Sequence, residues 1–188
     1  MPEDFTHYTV LKPIDYHPKT ENGVIVEMGP GGLSVPQLSE RVFRKIEHNA
    51  LYIGVDYQRK DLMNSRRHAG QFVCGNVTRI PLTDGIADEV WLMNVLGEDD
   101  KPLEPELSQA FGELVRILKP EGKIIIGELY TPARWLLNYD FQKLRLQRQV
   151  FAGDGATSFI EEYGITAWIT RHFFIPEIKD PFFMTLSR

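Results

Sequence analysis

Residues 24–36 read VIVEMGPGGLSVP. An apolar run, Val24-Ile25-Val26, meets a glycine-rich turn, and an amphipathic pattern starts behind it. Gly29, Gly31 and Gly32 remove β-carbons where the backbone must turn sharply and let a ligand approach. Ser34 can cap a helix that has Pro36 in its first turn. Val35, Leu38, Val42 and Ile46 then fall on one helical face. A helix that starts behind such a turn points free N–H groups at whatever the turn holds. Taken alone, the glycines are equally compatible with a tight strand-to-helix turn that holds nothing.

The spacing discriminates between ligands. A dinucleotide turn needs G-x-G-x-x-G, and counting from Gly29 the third glycine position is Ser34. Starting instead at Glu27 gives EMGPGG, an acid at the end of the first strand. A carboxylate there is awkward for a pyrophosphate and suits a ligand that offers positive charge, hydroxyls or an amino group.

Outward from this stretch the chain alternates. Strands are expected at Leu51–Val55, Gln71–Cys74, Glu89–Asn94 and Lys123–Gly127, with a short polar helix at about 59–68. Leu107, Ala110, Phe111, Leu114, Val115 and Leu118 keep helical spacing, and Pro120 and Gly122 end that helix. Residues 132–150 read as a helix with a basic outer face (Arg134, Lys143, Arg145, Arg148), and 151–158 as a loop. Ala167–Ile175 and Phe182–Leu186 read as two closing strands. Apolar strands alternating with helices predict an α/β fold, a doubly wound Rossmann-like sheet of seven strands. The sheet should be mostly parallel with an antiparallel C-terminal edge strand, and its ligand should lie at the carboxyl ends of the strands. Residues 1–22, polar and carrying Pro2, Pro13 and Pro18, form an N-terminal arm; 23–188 form one domain.

Composition agrees. With 188 residues and 43% hydrophobic content the chain can bury one sizeable core. A net charge of −5 argues against a surface made to grip phosphate backbones. The single cysteine, Cys74, excludes an internal disulfide and is expected to be a small buried apolar residue. The acidic start is not expected to act as a signal peptide, and no apolar run approaches the roughly 20 residues of a membrane span. A cytoplasmic protein without a metal site is expected.

Four segments together carry a resemblance. VIVEMGPGG resembles motif I of the class I S-adenosylmethionine-dependent methyltransferases. YIGVDYQ (52–58) is similar to their second motif. CGNVTRIPLTDGIADEVWLMNVL (74–96) resembles their G-D-A-x-x-L-P-F stretch with the fourth strand, and ELVRILKPEGKIIIGE (113–128) resembles the segment that leads into strand five. The order is right and the matches span 24–128. The style is closest to small-molecule methyltransferases. Leu33, Asn76, Gly97-Glu98 and Glu121 depart from the family pattern.

The resemblance implies S-adenosylmethionine as cofactor and assigns positions. Gly29, Pro30 and Gly31 form the turn, and Glu27 sits near the sugar or the methionine amino group, or orients the loop. Asp56 accepts the ribose hydroxyls, unless it is a helix cap or a solvated acid. Tyr57 packs on adenine, unless it is an ordinary half-buried aromatic. Asn76 accepts from the adenine amino group and the Val77 amide donates to a ring nitrogen, unless Asn76 serves only its turn. Asn94, with Val95 and Leu96, lies beside the transferable methyl, a strand-end amide being the alternative.

Methyl transfer from a sulfonium is an in-line displacement with a neutral leaving group, so positioning and water exclusion dominate. None of the five histidines lies in a matched segment, and no catalytic base is assigned. Residues 130–165 are the candidate lid, where Trp135, Tyr139 and Phe141 either line an acceptor pocket or pack a helix. Strand four ends in NVLGEDD, whose charge repels phosphates, so a small-molecule acceptor is expected over nucleic acid. The alternatives are a degenerate binding or scaffold protein on this fold, and a nicotinamide or aminopropyl-transferring enzyme.

Overall fold

A computed structural model describes residues 23–30, 50–57, 71–93, 95–96, 104–128, 136–151, 154–163 and 182–188. These residues form a seven-stranded sheet: β1 (Val24–Met28), β2 (Leu51–Asp56), β3 (Gln71–Cys74), β4 (Ala87–Met93), β5 (Leu118–Glu128), β6 (Gln147–Phe151) and β7 (Phe182–Ser187). The spatial order is β3-β2-β1-β4-β5-β7-β6. The first five strands are mutually parallel, and β7 runs antiparallel between β5 and β6. Chain order reverses at β1, which has β2 on one side and β4 on the other. The carboxyl ends of β1 and β4 therefore flank the switch point of the sheet, the place where open α/β sheets hold a ligand in a crevice.

Alternation along each strand divides the interior into two layers. Val24, Val26 and Met28 point to the face covered by α1 (Glu104–Ile117), where Leu107, Phe111, Leu114 and Ile117 are buried. Ile25, Tyr52, Trp91, Ile125 and Phe183 point the other way, against Ala156 and Phe159 of α2 (Asp154–Tyr163). Strands covered on both faces are apolar at successive positions, which is how the sequence reads.

α1 runs directly into β5. Between the pairs Ala87↔Leu118 and Glu89↔Lys123 the β5 side carries three more residues, a bulge that holds Pro120 and Gly122. A β-carbon at Gly122 would stand 2.7 Å from Leu118 Cδ1 and 3.0 Å from the Ala87 carbonyl oxygen. Glu121, by contrast, is exposed, so the crowding falls on the second position of this turn alone.

α1 also clamps the segment after β3. The Arg116 guanidinium donates to the carbonyls of Ile80 and Leu82 (2.8 Å each), to Asp84 (2.7 Å) and to both Glu113 oxygens (2.8 Å). Glu113 in turn accepts from the Ile80 amide. Its carboxyl is held below the usual range, chiefly by the Arg116 hydrogen bond. Arg116→Ala strips two backbone carbonyls of their donors and should cost about 2 kcal/mol in chemical denaturation. Lysine should recover little, because a point charge cannot reach the four groups at once. A loss under about 0.5 kcal/mol would mean the clamp is ornamental.

Three expectations change. Residues 136–151 do not form a helix: a turn of 3₁₀ helix spans Phe141–Leu144, and Gln147–Phe151 is the strand that flanks β7. The buried positions there, Leu136, Phe141 and Leu146, are five apart, a spacing no α-helical face can hold. Asp140 caps the 3₁₀ turn through the Gln142 amide, and Arg145, in the left-handed region at φ 58°, ends it. Residues 154–158, read as part of a loop, open α2, because Gly155 sits in the first turn and Ala156, Phe159 and Ile160 make an apolar face. Cys74 is exposed, since it ends the short strand β3. The expected antiparallel edge exists, but its outer strand comes from 147–151. The expected helix after Ser34, the helix at 59–68, the strand at 167–175 and the arm 1–22 lie outside the described residues. Among the described residues no helix is long and apolar enough to cross a membrane.

Candidate cofactor site

The crevice is built from strand ends. β1 ends at Met28, and Gly29 follows at φ 62°, a left-handed conformation that glycine adopts without penalty. Its amide donates to the Val55 carbonyl at 2.8 Å, so the turn stays locked to β2. A β-carbon at Gly29 would stand 3.1 Å from Cγ2 of Val95, just past the end of β4. The turn after β1 thus passes close to the segment after β4. Pro30 is buried in this turn, and its ring comes within 3.2 Å of where a β-carbon on Gly54 would stand.

Two acids occupy neighbouring strand ends. Glu27 pairs with Gly54 across β1 and β2, and Asp56 lies two residues further on the same face. Both are buried, at 2% and 5% exposure. Tyr52 pairs with Ile25, one step below Glu27 on that face. The Tyr52 phenol donates to the Glu27 carboxyl, and the space a β-carbon on Gly54 would need is taken by the Phe72 and Pro30 rings. Burial pushes the Glu27 carboxyl up from 4.5 to about 8; the Tyr52 hydrogen bond works against this and the charge of Asp56 adds to it. The Tyr52 phenol is held well above its ordinary value, first by burial and then by Glu27. Both shifts favour a protonated acid hydrogen-bonded to a neutral phenol.

Tyr57 follows Asp56 at 71% exposure, which excludes the half-buried reading. Cys74 pairs with Asp56, and its Sγ lies 3.7 Å from the Tyr57 carbonyl oxygen. Gly75 continues the rim, and Asn76 opens the turn clamped by Arg116. The Asn76 side-chain oxygen accepts from both the amide and the hydroxyl of Thr78, at 3.0 Å each. Those two bonds use the oxygen that sequence reasoning offered to an adenine amino group. What Asn76 has left is its NH₂, a donor. Val77 is half-buried against the α1-side core. Gly31, Asn94 and all five histidines lie outside the described residues.

Residues Glu27, Gly29, Pro30, Asp56, Tyr57, Asn76 and Val77 are therefore brought to one end of the sheet. They offer hydroxyl- and cation-accepting carboxyls, an exposed aromatic face and amide donors around a turn with a left-handed glycine. This set fits a nucleoside that carries a positively charged tail, and it offers no phosphate-binding cation. Sequence reasoning missed Tyr52. The signal was present: once Leu51–Asp56 pairs with Val24–Met28, Tyr52 and Glu27 share a face.

Two aromatic residues of the candidate lid, Tyr139 and Phe141, lie elsewhere, and Trp135 is outside the described residues. Tyr139 and Phe141 pack against Phe111 of α1, with ring centroids 5.2 and 5.0 Å away. A cavity of about 410 Å³ lies beside them, lined by Tyr139, Phe141, Leu146 and Arg148 among others. It opens where β6 begins, and Gln147 is level with Ser187 and Lys123 at the entry of β5. That is the end of the sheet opposite Gly29.

Residues 26–126 match the family model described as a methyltransferase domain. A malonyl-[acyl-carrier protein] O-methyltransferase of Methylovorus sp. (strain MP688) is 39% identical over 64 residues, 34% of this chain and 19% of that protein. The match thus spans about a fifth of the length of this curated relative. A SAM-dependent methyltransferase from Aquifex aeolicus superposes with a TM-score of 0.59 at 13% identity, covering 89% of this chain and 82% of the other. The plantazolicin methyltransferase BpumL, solved with a pentazolic desmethylPZN analog and SAH, gives 0.55 at 13% identity, covering 88% and 77%. At such identities the likeness is one of fold.

Proposed function

The chain belongs to the methyltransferase-domain family, and from that premise we propose that it transfers a methyl group from S-adenosylmethionine to a small-molecule acceptor. One observation carries the reading: two buried carboxyls, Glu27 and Asp56, flank a left-handed glycine at the switch point of the sheet. When bound, the cofactor supplies an electrophilic methyl on a sulfonium that departs as a neutral thioether.

The residues divide the work of holding it. Asp56 accepts from the vicinal ribose hydroxyls. Tyr57 presents its ring to the base, and the Asn76 NH₂ and Val77 amide donate to ring nitrogens. Gly29 lets the ligand approach the backbone. Glu27 takes the positively charged tail. Val95 and Leu96, half-buried at the end of β4, supply apolar surface that keeps water from the reacting carbon. The acceptor's lone pair forms the new bond to carbon as the carbon–sulfur bond breaks. A proton leaves the acceptor only if it arrived protonated. The GEDD run at 97–100 favours a neutral or basic acceptor.

A calorimetric titration tests this directly. S-adenosylmethionine and its demethylated product should both bind, and NADH should not. Binding of neither, or of NADH instead, would overturn the proposal.

A further inference from the structure

Glu27 is an unusual acid for the place it occupies. From β2 it is faced by Tyr52 and Asp56. From β4 it is faced by Trp91, its direct pair, with Glu89 one step further toward the amino end. Glu89 accepts from the Trp91 indole. The described helix on this face, α2, contributes Ala156 and Phe159 to the same layer. Among the described residues, the Tyr52 phenol donates to the Glu27 carboxyl and the charge of Asp56 works against its ionisation. An ionised carboxylate there is buried, has one phenolic donor, and faces a second acid. Burial beside a second acid favours the neutral form.

A ligand with net positive charge reverses that balance. We propose that Glu27 makes the cofactor site charge-selective: it meets the ligand as a neutral acid, releases its proton when a cationic ligand is seated, and regains it when that charge is gone. The inference rests on the cofactor reading above. S-adenosylmethionine carries a sulfonium, an ammonium and a carboxylate, net +1; the demethylated product has lost the sulfonium and is net neutral. The Tyr52 phenol stabilises the anion once it forms by continuing to donate to it. Methyl transfer would then remove the charge that keeps Glu27 ionised and favour exchange of product for fresh cofactor.

The carboxyl, held near pH 8 in the empty protein, must ionise before it can pair. Cofactor affinity should therefore rise about tenfold per pH unit between pH 6 and 7, where the ligand's own amino group stays protonated. The product should show a shallower slope. Calorimetry at pH 7 in two buffers of different ionisation enthalpy counts the protons: close to one for S-adenosylmethionine and under about one half for the product. Glu27→Gln keeps an oxygen for the Tyr52 phenol and should abolish both proton release and the pH slope. Tyr52→Phe should retain the slope and move it to higher pH.

A ligand-free measurement stands beside these. The folded chain keeps a proton that the unfolded chain loses near 4.5. Stability of the empty wild type should fall as pH rises from about 4.5 to about 8, and Glu27→Gln should flatten that part of the profile. Binding of S-adenosylmethionine without proton release, or equal release with the neutral product, sinks this inference and leaves the cofactor reading standing. Binding of neither ligand sinks both.

Discussion

Asp56→Ala is expected to weaken S-adenosylmethionine binding about 100-fold while the sheet stays folded. A carboxylate that accepts from two neighbouring hydroxyls makes two charge-assisted bonds, and losing them costs about 3 kcal/mol, which is the stated factor. Asp56 is 5% exposed at the last position of β2, so water cannot easily replace it. Asn is the informative second substitution: it keeps one acceptor oxygen and the shape, and should cost roughly tenfold by the same reckoning. The variant also reports on Glu27, because the charge of Asp56 is one of the forces that raise the Glu27 carboxyl. Removing it should lower that carboxyl and reduce the protons released by whatever ligand still binds. Affinity within about twofold of wild type, measured by calorimetry on protein with an unchanged circular dichroism spectrum, would take Asp56 out of the ribose role.

How much of this was legible in advance depends on which physical signal each part carries. The parallel half was readable because a strand covered on both faces carries an apolar run, as Val24–Val26, Leu51–Val55 and Val90–Met93 do; the acids Glu27, Asp56, Asp88 and Glu89 interrupt or end those runs. α1 was readable because Leu107, Phe111 and Leu114 repeat at helical spacing. The outer edge was not, because Leu136, Phe141 and Leu146 are buried by tertiary contacts that follow no secondary-structure period. At the site, Gly29 and the two acids were visible as residue types at strand ends. The state of Glu27 was not, since it depends on which residue the pairing register brings beneath it. Asn76 was legible in both its readings: Asn-x-Thr signals a side-chain turn onto Thr78, the alternative that stood beside the adenine contact, and its oxygen makes that turn.

Phe111→Ala should destabilise the fold by about 4 kcal/mol, the largest loss expected from any single substitution considered. Phe111 is 1% exposed and sits at the centre of a ring cluster. Its centroid lies 5.2 Å from Tyr139 and 5.0 Å from Phe141, and those two rings are 4.9 Å apart. Truncation removes the apolar surface of one ring, its edge-to-face contact with Phe141 and its tilted contact with Tyr139, and it opens a cavity under α1. For a chain of this length the melting temperature should fall by roughly 8–16 °C. Tyr139→Phe is the control, because it deletes only a hydroxyl that meets Ser108 at 3.2 Å on the exposed side, and should change stability by under about 0.5 kcal/mol. The comparison bears on function as well as packing. If 136–146 opened and closed over the crevice, Phe111 would be uncovered for part of the time, and its truncation would cost little. If the segment is fixed under α1, the full loss appears, and selection of the acceptor must come from residues at the carboxyl ends of the strands. A loss below about 1.5 kcal/mol would return Tyr139 and Phe141 to the list of lid residues.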